Sequence, residues 1–273
     1  MVSPALPAKP IAIGREAEVY AWPEHRVLRL LLPGHGSLAQ LEREREVMRA
    51  CVAAGVRAPD AGEIIEVDGR FGLVLERVDG GDLFDTISRQ PWKVYAVGAQ
   101  TGRLHAQVNA MEAPGGLPAV RDAMAANIER GTELPPGIRR RALDILAQLP
   151  DGKSLIHGDF HPGNILAGSG GPVIIDWTGF AGDPLADFTR TLIMLKAAAP
   201  PPGAGVVINL LEKPGRRFLL AGYERAYRRA NPPIDRRDEA RWCAVNIAVR
   251  IPDDVPGERA NLLRLWDRVA RLA

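Results

Sequence analysis

A short polar segment in the middle of the chain carries most of its candidate chemistry. Residues 157–164 read HGDFHPGN and lie between apolar pairs at 155–156 and 165–166, which predicts a loop that buried segments hold at both ends. Twelve residues beyond Asn164, Asp176 ends the apolar run of residues 173–175. An amide and an acid at the ends of neighbouring strands can bind one magnesium ion through oxygen atoms, and Asp159 could orient an attacking hydroxyl. These are the parts that phosphoryl transfer requires.

Two other interpretations of this segment stay open. Asp and Asn favour turns because their side chains hydrogen-bond the local backbone, so Asp159, Asn164 and Asp176 could be turn or cap residues. His157, Asp159 and His161 alternate, and on a strand they would share one face and could bind a metal ion. That arrangement would suit a metal-dependent phosphoesterase, although no second cluster of His and Asp completes a two-metal site.

The motifs HGDFHPGN and IIDW resemble those of the aminoglycoside phosphotransferase and choline-kinase-like family, which has a protein-kinase-like fold. The spacing from Asp159 to Asn164 is the Asp-x-x-x-x-Asn spacing of the protein-kinase catalytic loop. The resemblance runs over nearly the whole of residues 11–195 and includes six further segments, which read IGREAEVY, VLRL, EREREVM, LVLERVDGGDL, RLHA and GDPLADFTR. It implies an ATP-dependent phosphotransferase that moves the γ-phosphate to a hydroxyl of a small molecule, with ATP and Mg²⁺ as cofactors.

The resemblance also implies a role for individual residues. Asp159 would be the catalytic base that positions the acceptor hydroxyl, and Asn164 and Asp176 would bind Mg²⁺. Asp187 would brace the catalytic loop through hydrogen bonds.

Nucleotide binding is assigned to the first part of the chain in the same way. Gly14 lies in the segment that corresponds to the nucleotide loop, and Arg29 on the third strand would contact the phosphates and pair with Glu44. The backbone of Glu76 and Val78 would meet the adenine ring.

Two departures from the family pattern favour an alternative, a nucleotide-binding pseudokinase without catalysis. Arg29 stands where many kinases have Lys, and a guanidinium is longer and not an equal substitute. The nucleotide loop has one glycine, so close backbone approach to phosphates is less well provided. Protein-kinase activity is disfavoured because Asp176 is followed by Trp-Thr-Gly and no Ala-Pro-Glu marks an activation segment.

The elements that must position these residues change character near residue 80. Short, turn-bounded apolar runs at 11–13, 19–22 and 27–32 predict strands, and Asp68-Gly69 predicts a hairpin between two more. Between them, Ser37 opens a helix with a capping-box pattern. Leu41, Met48 and Cys51 share one face of that helix; Glu44 lies on the same stripe, and Glu46, the weaker candidate for the ion pair, lies off it.

From Asp82 onward the pattern is mainly helical. Residues 94–108 and 139–149 predict helices, and the chain is helical again from Asp187, with proline-rich loops near Pro200 and Pro232. Two short strands are expected at 165–166 and 173–175. His105 lies at the edge of a helical stripe and is predicted to be a satisfied buried histidine. The fold class is therefore α+β, with a small antiparallel-sheet lobe at residues 1–80 and a larger, mainly helical catalytic and acceptor-binding lobe at residues 81–273.

Composition excludes several classes of protein. The chain has 273 residues with 35 basic and 33 acidic side chains, a balance that gives no electrostatic footprint for nucleic acid. No apolar stretch reaches the roughly 18 residues of a membrane span. Two cysteines are too few for a disulfide framework, and no signal peptide precedes the first strands, so a cytoplasmic location is expected.

Overall fold

The computed structural model describes the chain except for residues 1–5, 8, 15 and 199–205, and it gives residues 206–213 as backbone only. The backbone forms two compact units. The first comprises Met1–Gly81 and Ile165–Gly179, and the second comprises Asp82–Asn164 and Phe180–Ala273. The division at residue 80 predicted from the sequence would place residues 165–179 in the second lobe, and it stays a prediction.

The first unit is built on a five-stranded antiparallel sheet in the order β1-β2-β3-β5-β4. Its strands are β1 (Ala12–Ile13), β2 (Ala17–Trp22), β3 (Arg26–Leu31), β4 (Ala61–Val67) and β5 (Arg70–Glu76). Buried side chains alternate along β3, where Leu28 and Leu30 enter the core and Arg29 points the other way. The predicted hairpin is present, since Asp68 and Gly69 both have positive φ between β4 and β5.

Helix α1 (Leu38–Ala53) follows the predicted pattern closely. The Ser37 hydroxyl accepts a hydrogen bond from the Gln40 N–H, which caps the helix. The buried face carries Leu41, Glu44, Val47, Met48 and Cys51. Glu44 is thus a buried carboxylate on an otherwise apolar stripe, and a buried charge requires an oppositely charged or hydrogen-bonding partner.

A second hairpin completes the first unit, with β7 (Ile165–Gly168) paired to β8 (Gly171–Ile174). Its strands attach to the earlier part of the unit through backbone hydrogen bonds, from Ala167 N to Gly81 O at 2.9 Å and from Ile174 N to Arg57 O at 2.9 Å. Gly80 has φ of +147° and a Cβ there would overlap the Ala167 carbonyl, so this close approach requires glycine. The two short strands predicted here are confirmed.

The second unit is mainly helical. Its elements are α2 (Leu83–Arg89), α3 (Val94–Asn109), α4 (Val120–Arg130), α5 (Pro136–Leu146), β6 (Ser154–Ile156), β9 (Phe180–Gly182), α6 (Pro184–Ala197), α7 (Val206–Ala230), α8 (Arg236–Arg250) and α9 (Arg259–Val269). The buried centre of its largest apolar cluster includes Trp242, Ile128 and Val245. The loop predicted near Pro232 is present, whereas the one near Pro200 lies outside the described residues.

Helices α3 and α7 approach each other closely because glycines line their contact. A Cβ on Gly98 or Gly102 would meet the backbone oxygen of Leu219 or Tyr223, and one on Gly222 would meet that of Tyr95. The space that side chains would fill is occupied by the backbone of the facing helix.

The structure departs from the sequence prediction at several elements. Helix α4 and strand β9 were not expected, and β9 is only three residues long with no alternating pattern. Helix α6 begins at Pro184, three residues before Asp187, because Asp183 caps it through the Leu185 N–H. The helix predicted at 139–149 spans Pro136–Leu146 instead, since Pro136 occupies its first turn. The α+β class, with a sheet-based unit and a helical unit, is confirmed.

Candidate active site

The loop that follows β6 holds Asp159 in the second unit. Its last residues, Pro162–Asn164, form a short 3₁₀ turn in which Asn164 N donates to His161 O at 2.9 Å. The Phe160 side chain is buried and anchors the loop, whereas the Asp159 side chain keeps 41% of its surface exposed. A carboxylate is thereby presented to solvent on a loop of fixed geometry.

The neighbours of Asp159 favour its ionised form. Asn164 Nδ2 donates to Asp159 O at 2.9 Å and lies 3.3 Å from Oδ2, and His161 Nε2 lies 3.5 Å from the same oxygen. Burial raises the pKa of Asp159, but the hydrogen bond and charge of His161, with the charges of Arg190 and His157, outweigh that effect and bring the pKa to about 2. Asp159 is therefore an ionised acceptor at neutral pH.

The amide of Asn164 has a fixed orientation. Both contacts of its Nδ2 are to oxygen atoms of Asp159, so the nitrogen must be the atom that faces them. Its Oδ1 accepts no hydrogen bond from the residues that the structure describes. An oxygen ligand next to Asp159 is thus available for a hard cation such as Mg²⁺.

Asp187 braces this loop from α6, as predicted. Its carboxylate accepts hydrogen bonds from His157 N at 2.7 Å, Gly158 N at 3.0 Å and Asn109 Nδ2 at 3.2 Å. Burial raises the pKa of Asp187, yet the His105 and His157 interactions overcome it and hold the pKa well below the usual range. A buried anion with this many donors fixes the backbone just before Asp159.

The predicted sharing of one face by His157, Asp159 and His161 is not seen, because these residues form a loop and not a strand. His157 Nδ1 accepts from Asp159 N at 3.2 Å, and His161 Nδ1 accepts from Gly163 N at 3.0 Å. Each ring uses one nitrogen to shape the loop. Among the described residues no group of three or more His, Cys, Asp or Glu side chains is arranged to hold a metal ion.

Asp176 lies in the first unit, just after β8. It has φ of +58°, in the left-handed region that non-glycine residues rarely adopt, and its side chain is 54% exposed. The next residue, Trp177, is buried and donates from Nε1 to Ile174 O at 3.0 Å, which anchors the turn. The anchored turn holds the Asp176 carboxylate outward, and such strain is common at functional sites.

The predicted ion pair between Arg29 and Glu44 is present. Arg29 Nη1 lies 2.7 Å from Glu44 Oε2, and Gln40 Nε2 donates to the other carboxylate oxygen at 3.0 Å. Burial raises the pKa of Glu44, and the charge of Arg29 opposes that rise only in part. Arg29 Nε is also 3.9 Å from Asp176 Oδ1. Glu46 instead pairs with Arg49 on the exposed side of α1, so it is not the partner of Arg29.

The remaining predicted nucleotide-contacting residues belong to the same unit. Gly14 N donates to Ala17 O at 2.8 Å and closes the turn between β1 and β2. Glu76 ends β5, and its N–H donates to Asp60 O at 2.9 Å. The Val78 N–H donates to none of the described residues, so it is available to an outside acceptor. The nucleotide roles of these residues stay predictions.

Sequence reasoning missed part of the network around the loop. Thr191 Oγ1 donates to Phe160 O at 2.7 Å, and Asn109 Nδ2 donates to Leu155 O at 3.0 Å. Tyr227 Oη donates to Asn109 Oδ1 at 2.8 Å. The one available signal was the pair of polar residues Asp187 and Thr191, four apart on an apolar helix.

Comparison with known proteins identifies the chain's relatives. The profile described as the phosphotransferase enzyme family matches residues 7–242. No curated protein sequence matches significantly.

Solved structures give the same fold at low sequence identity. A choline/ethanolamine kinase family protein from Mesorhizobium loti is 16% identical, with a TM-score of 0.57 over 94% of this chain and 84% of that one. A macrolide 2′-phosphotransferase from Brachybacterium faecium is 18% identical, with a TM-score of 0.52 over 97% and 93%. An aminoglycoside phosphotransferase in ternary complex with streptomycin and ATP is 14% identical, with a TM-score of 0.51 over 96% and 90%. These similarities confirm the predicted protein-kinase-like fold.

No described helix has the length and hydropathy needed to cross a membrane.

Proposed function

Because the chain belongs to the phosphotransferase enzyme family, we propose that it transfers the γ-phosphoryl group of ATP to a hydroxyl of a small molecule. One observation carries the proposal. The Asp159 carboxylate is ionised and partly exposed, and Asn164 beside it has an amide oxygen with no hydrogen-bond donor among the described residues. This pair matches the catalytic Asp and metal-binding Asn of phosphoryl transfer at the expected spacing.

In this proposal Asp159 positions the acceptor hydroxyl. A carboxylate with a pKa of about 2 is a weak base, so its main contribution is to orient the hydroxyl and to take its proton late in the reaction. His161 and Asn164 hold the carboxylate, and Asp187 holds the backbone before it. Catalysis is then mostly positioning and charge stabilisation.

We assign Mg²⁺ to Asn164 and Asp176, whose oxygen atoms suit that ion. When bound, Mg²⁺ neutralises the charge of the nucleotide phosphates. Arg29 contacts the phosphates and is oriented by Glu44, at the 2.7 Å distance of a charge-assisted hydrogen bond. Gly14 and the backbone of Glu76 and Val78 bind the rest of ATP.

The acceptor is a hydroxylated small molecule whose class the fold does not select. The neighbouring structures are a choline/ethanolamine kinase family protein, a macrolide 2′-phosphotransferase and an aminoglycoside phosphotransferase bound to streptomycin and ATP. We place the protein in a reducing compartment such as the cytoplasm, since Cys51 and Cys243 are buried free thiols whose pKa burial raises to about 12.

A nucleotide-binding pseudokinase is the second candidate. It is favoured by Arg29 in place of Lys and by the single glycine of the nucleotide loop. The metal-dependent phosphoesterase has less support, because His157 and His161 each use one ring nitrogen to bind the loop backbone.

A combined screen tests the proposal. Thermal shift and ATP consumption are measured with Mg²⁺ against aminoglycosides, macrolides, amino alcohols and sugars, with Asp159→Asn as the control. Acceptor-dependent ADP formation that Asp159→Asn lacks supports phosphotransfer. Binding of Mg-ATP with no ADP formation, not even by slow hydrolysis, would instead support the pseudokinase. Hydrolysis of phosphoesters without nucleotide would support the phosphoesterase.

A further inference from the structure

Arg190 on α6 differs from the other partly buried arginines of the second unit because it has no acceptor. Its Nε is buried without a hydrogen-bond partner, and its guanidinium makes no hydrogen bond or ion pair within the part of the chain that the structure describes. The other partly buried arginines of this unit each donate to a carboxylate or to a backbone oxygen. A buried donor on a charged group is costly to leave unsatisfied, so this exception requires an explanation.

The helical position of Arg190 places it beside the loop that carries Asp159. Asp187 and Thr191 hold that loop from α6, through hydrogen bonds to backbone atoms on both sides of Asp159. Arg190 lies between these two residues in sequence, about 60° around the helix from Asp187. Its charge lowers the pKa of Asp159, yet the two side chains, both within the described residues, form no ion pair. Arg190 is therefore next to the proposed catalytic carboxylate without being paired with it.

Helix α8 packs against the neighbouring side of α6. Asn246 donates from Nδ2 to Ala186 O and to Thr189 Oγ1, each at 2.9 Å. Ala186 lies one turn before Arg190 and Thr189 precedes it directly, so Arg190 is at the edge where the loop-facing and α8-facing sides of α6 meet. Since its Nε is the only buried nitrogen of the guanidinium, the Nη atoms keep contact with solvent. A small molecule bound beside Asp159 can reach them.

Arg250 lies one turn beyond Asn246 on α8, and its surroundings contrast with those of Arg190. It contacts Glu258 through Nε at 2.9 Å and through Nη2 at 3.1 Å, and Asp253 through Nη1 at 3.3 Å. Two carboxylates of the chain thus neutralise Arg250, and one of them, Glu258, is buried. No carboxylate among the described residues does the same for Arg190. The chain supplies the acceptors of Arg250 and leaves those of Arg190 to a ligand.

A planar guanidinium with free donors suits the oxygen atoms of carboxylate and phosphate groups. We propose that Arg190 binds an anionic group of the acceptor, a carboxylate or a phosphate that lies close to the reacting hydroxyl. This inference rests on the proposed phosphotransfer and narrows its acceptor to anionic hydroxyl compounds such as hydroxy acids or sugar phosphates. The charge of Arg190 offsets the repulsion between such an acceptor and the ionised Asp159. A cationic acceptor would instead meet an unpaired guanidinium.

Three variants separate the guanidinium from its charge. Arg190→Met removes the guanidinium and keeps an apolar side chain, whereas Arg190→Lys keeps the charge without the planar fork. Arg241→Met is the matched control, because it removes the same charge from a partly buried arginine of the same unit that already has a partner, Asp238 at 3.4 Å. Thermal melting checks that each variant is folded.

A binding measurement on the full-length protein without nucleotide needs no catalysis. Inorganic phosphate is titrated at constant ionic strength while the Nε–H resonances of ¹⁵N-labelled arginines are followed by NMR, and Arg190→Met identifies the resonance of Arg190. We expect a saturable shift of that resonance in the parent chain and in Arg241→Met. A resonance that does not move, or that moves without saturation, would overturn the anion site, whether or not phosphotransfer is found.

If phosphotransfer is found, the acceptor screen is extended to hydroxy acids and sugar phosphates, and the best acceptor is compared with its uncharged analogue. We expect the best acceptor to be anionic. Arg190→Met should raise the KM for it by about 10–100-fold, the range of a hydrogen bond to a charged group, with little change in the KM for ATP. Arg190→Lys should lose less affinity, and Arg241→Met should match the parent chain.

Two kinetic outcomes would contradict the proposal. One is a best acceptor that is neutral or cationic and whose KM is unchanged in Arg190→Met. The other is a fall in kcat without a rise in the KM for the acceptor, which would mean that Arg190 acts only through the charge of Asp159. Absence of phosphotransfer to any acceptor would count against the proposed function and leave the phosphate titration to decide the anion site.

Discussion

Two aspartates of the proposed machinery have different surroundings, and the difference separates their roles. Asp159 has Asn164 and His161 against its carboxylate, and its pKa is lowered to about 2. Asp176 is more exposed, has a left-handed backbone and lies 3.9 Å from Arg29 Nε. Asparagine tolerates both positions, since it is close to isosteric and adopts positive φ more readily than most residues.

Replacing each aspartate by asparagine should therefore give different results. Asp159→Asn should keep Mg²⁺-dependent ATP binding and lower turnover by about 10²–10⁴-fold, the usual share of a general base. Asp176→Asn removes a charged metal ligand, so binding and turnover should both fall. Calorimetry of Mg-ATP binding to both variants measures this. Equal loss of Mg-ATP binding in the two variants would exclude the kinase-like assignment of Asp159.

Arg29 offers a second test on strand β3. Arg29→Ala should weaken Mg-ATP binding by about 1.5–3 kcal/mol, the range of a hydrogen bond to a charged group, and Arg29→Lys should retain part of the affinity. Arg26→Ala is a suitable control because Arg26 lies on the same strand but pairs with Asp60 at the surface. Affinity measured by calorimetry should be nearly unchanged in that control. Unchanged affinity in Arg29→Ala would show that the phosphates bind elsewhere.

The raised pKa of Glu44 predicts a pH dependence. Because the folded-state pKa lies above the ordinary value, Glu44 takes up a proton as the pH falls through that raised pKa, before Asp159 does. The ionised form of Glu44 lowers the free energy of unfolding at higher pH, and protonation of Glu44 removes this loss. Protonation also breaks the pair with Arg29, so Mg-ATP affinity should decline as the pH falls through that raised pKa. The Glu44→Gln variant should lack that decline, and a parallel pH profile in both proteins would contradict the prediction.

At the scale of elements, the contact between α3 and α7 supports the catalytic loop. Helix α3 carries His105 and Asn109, and α7 carries Tyr223 and Tyr227, all of which belong to the buried network. Glycines at the contact bring the two backbones close enough for these side chains to meet. Spacing of the helices is thus coupled to the geometry of the loop.

Gly102→Ala tests this coupling. A methyl group there would meet the Tyr223 backbone oxygen, which cannot move without shifting α7, so we expect a loss of about 1–3 kcal/mol in unfolding free energy. Gly137→Ala in α5 is the matched control, because nothing lies within 4 Å of a Cβ at that position. It should be neutral or stabilising by up to about 1 kcal/mol. Thermal and urea denaturation compare the two, and equal stability would refute the close-contact explanation.

Local patterns explain which elements the sequence could predict. The period of α1 located its buried face and selected Glu44 over Glu46, and Asp68-Gly69 marked the hairpin. Strand β9 was not predictable, because three residues pair with β6 only once the intervening chain has folded. The candidate site likewise has features that a local sequence pattern predicts and features that depend on contacts between distant residues. The spacing of Asp159 and Asn164 is local, whereas the partners of His105 and Asn109 on α7 are 118 residues away in sequence.

At the scale of the whole molecule, each unit carries part of the proposed machinery. The first holds Arg29, Glu44 and Asp176, and the second holds Asp159 and Asn164. Each unit also has its own buried apolar cluster, which includes Trp242 in the second unit and Leu28 in the first.

The proposed metal site predicts a magnesium-dependent stabilisation. A ligand that binds only the native state raises stability by mass action, by about 2.7 kcal/mol at a concentration 100 times its Kd. ATP with Mg²⁺ should therefore raise the melting temperature more than ATP with EDTA. Mg²⁺ alone is the control and should have a small effect. Equal shifts with and without Mg²⁺ would count against Asn164 and Asp176 as ligands.

The hairpin of β7 and β8 also affects the order of events during biosynthesis. Residues up to Gly81 leave the ribosome first, but the strands that hydrogen-bond to Gly81 and Arg57 end only at Ile174. At about 5–20 residues per second, synthesis of the chain from Gly81 to the end of the β7–β8 hairpin takes roughly 5–20 s. During that interval the first unit is incomplete, because the N–H groups of Ala167 and Ile174, which donate to the carbonyls of Gly81 and Arg57, have not yet been synthesised. The amino-terminal part of this protein is therefore synthesised first and can be completed only after the whole of Asp82–Asn164, the helical unit's first segment, has been made.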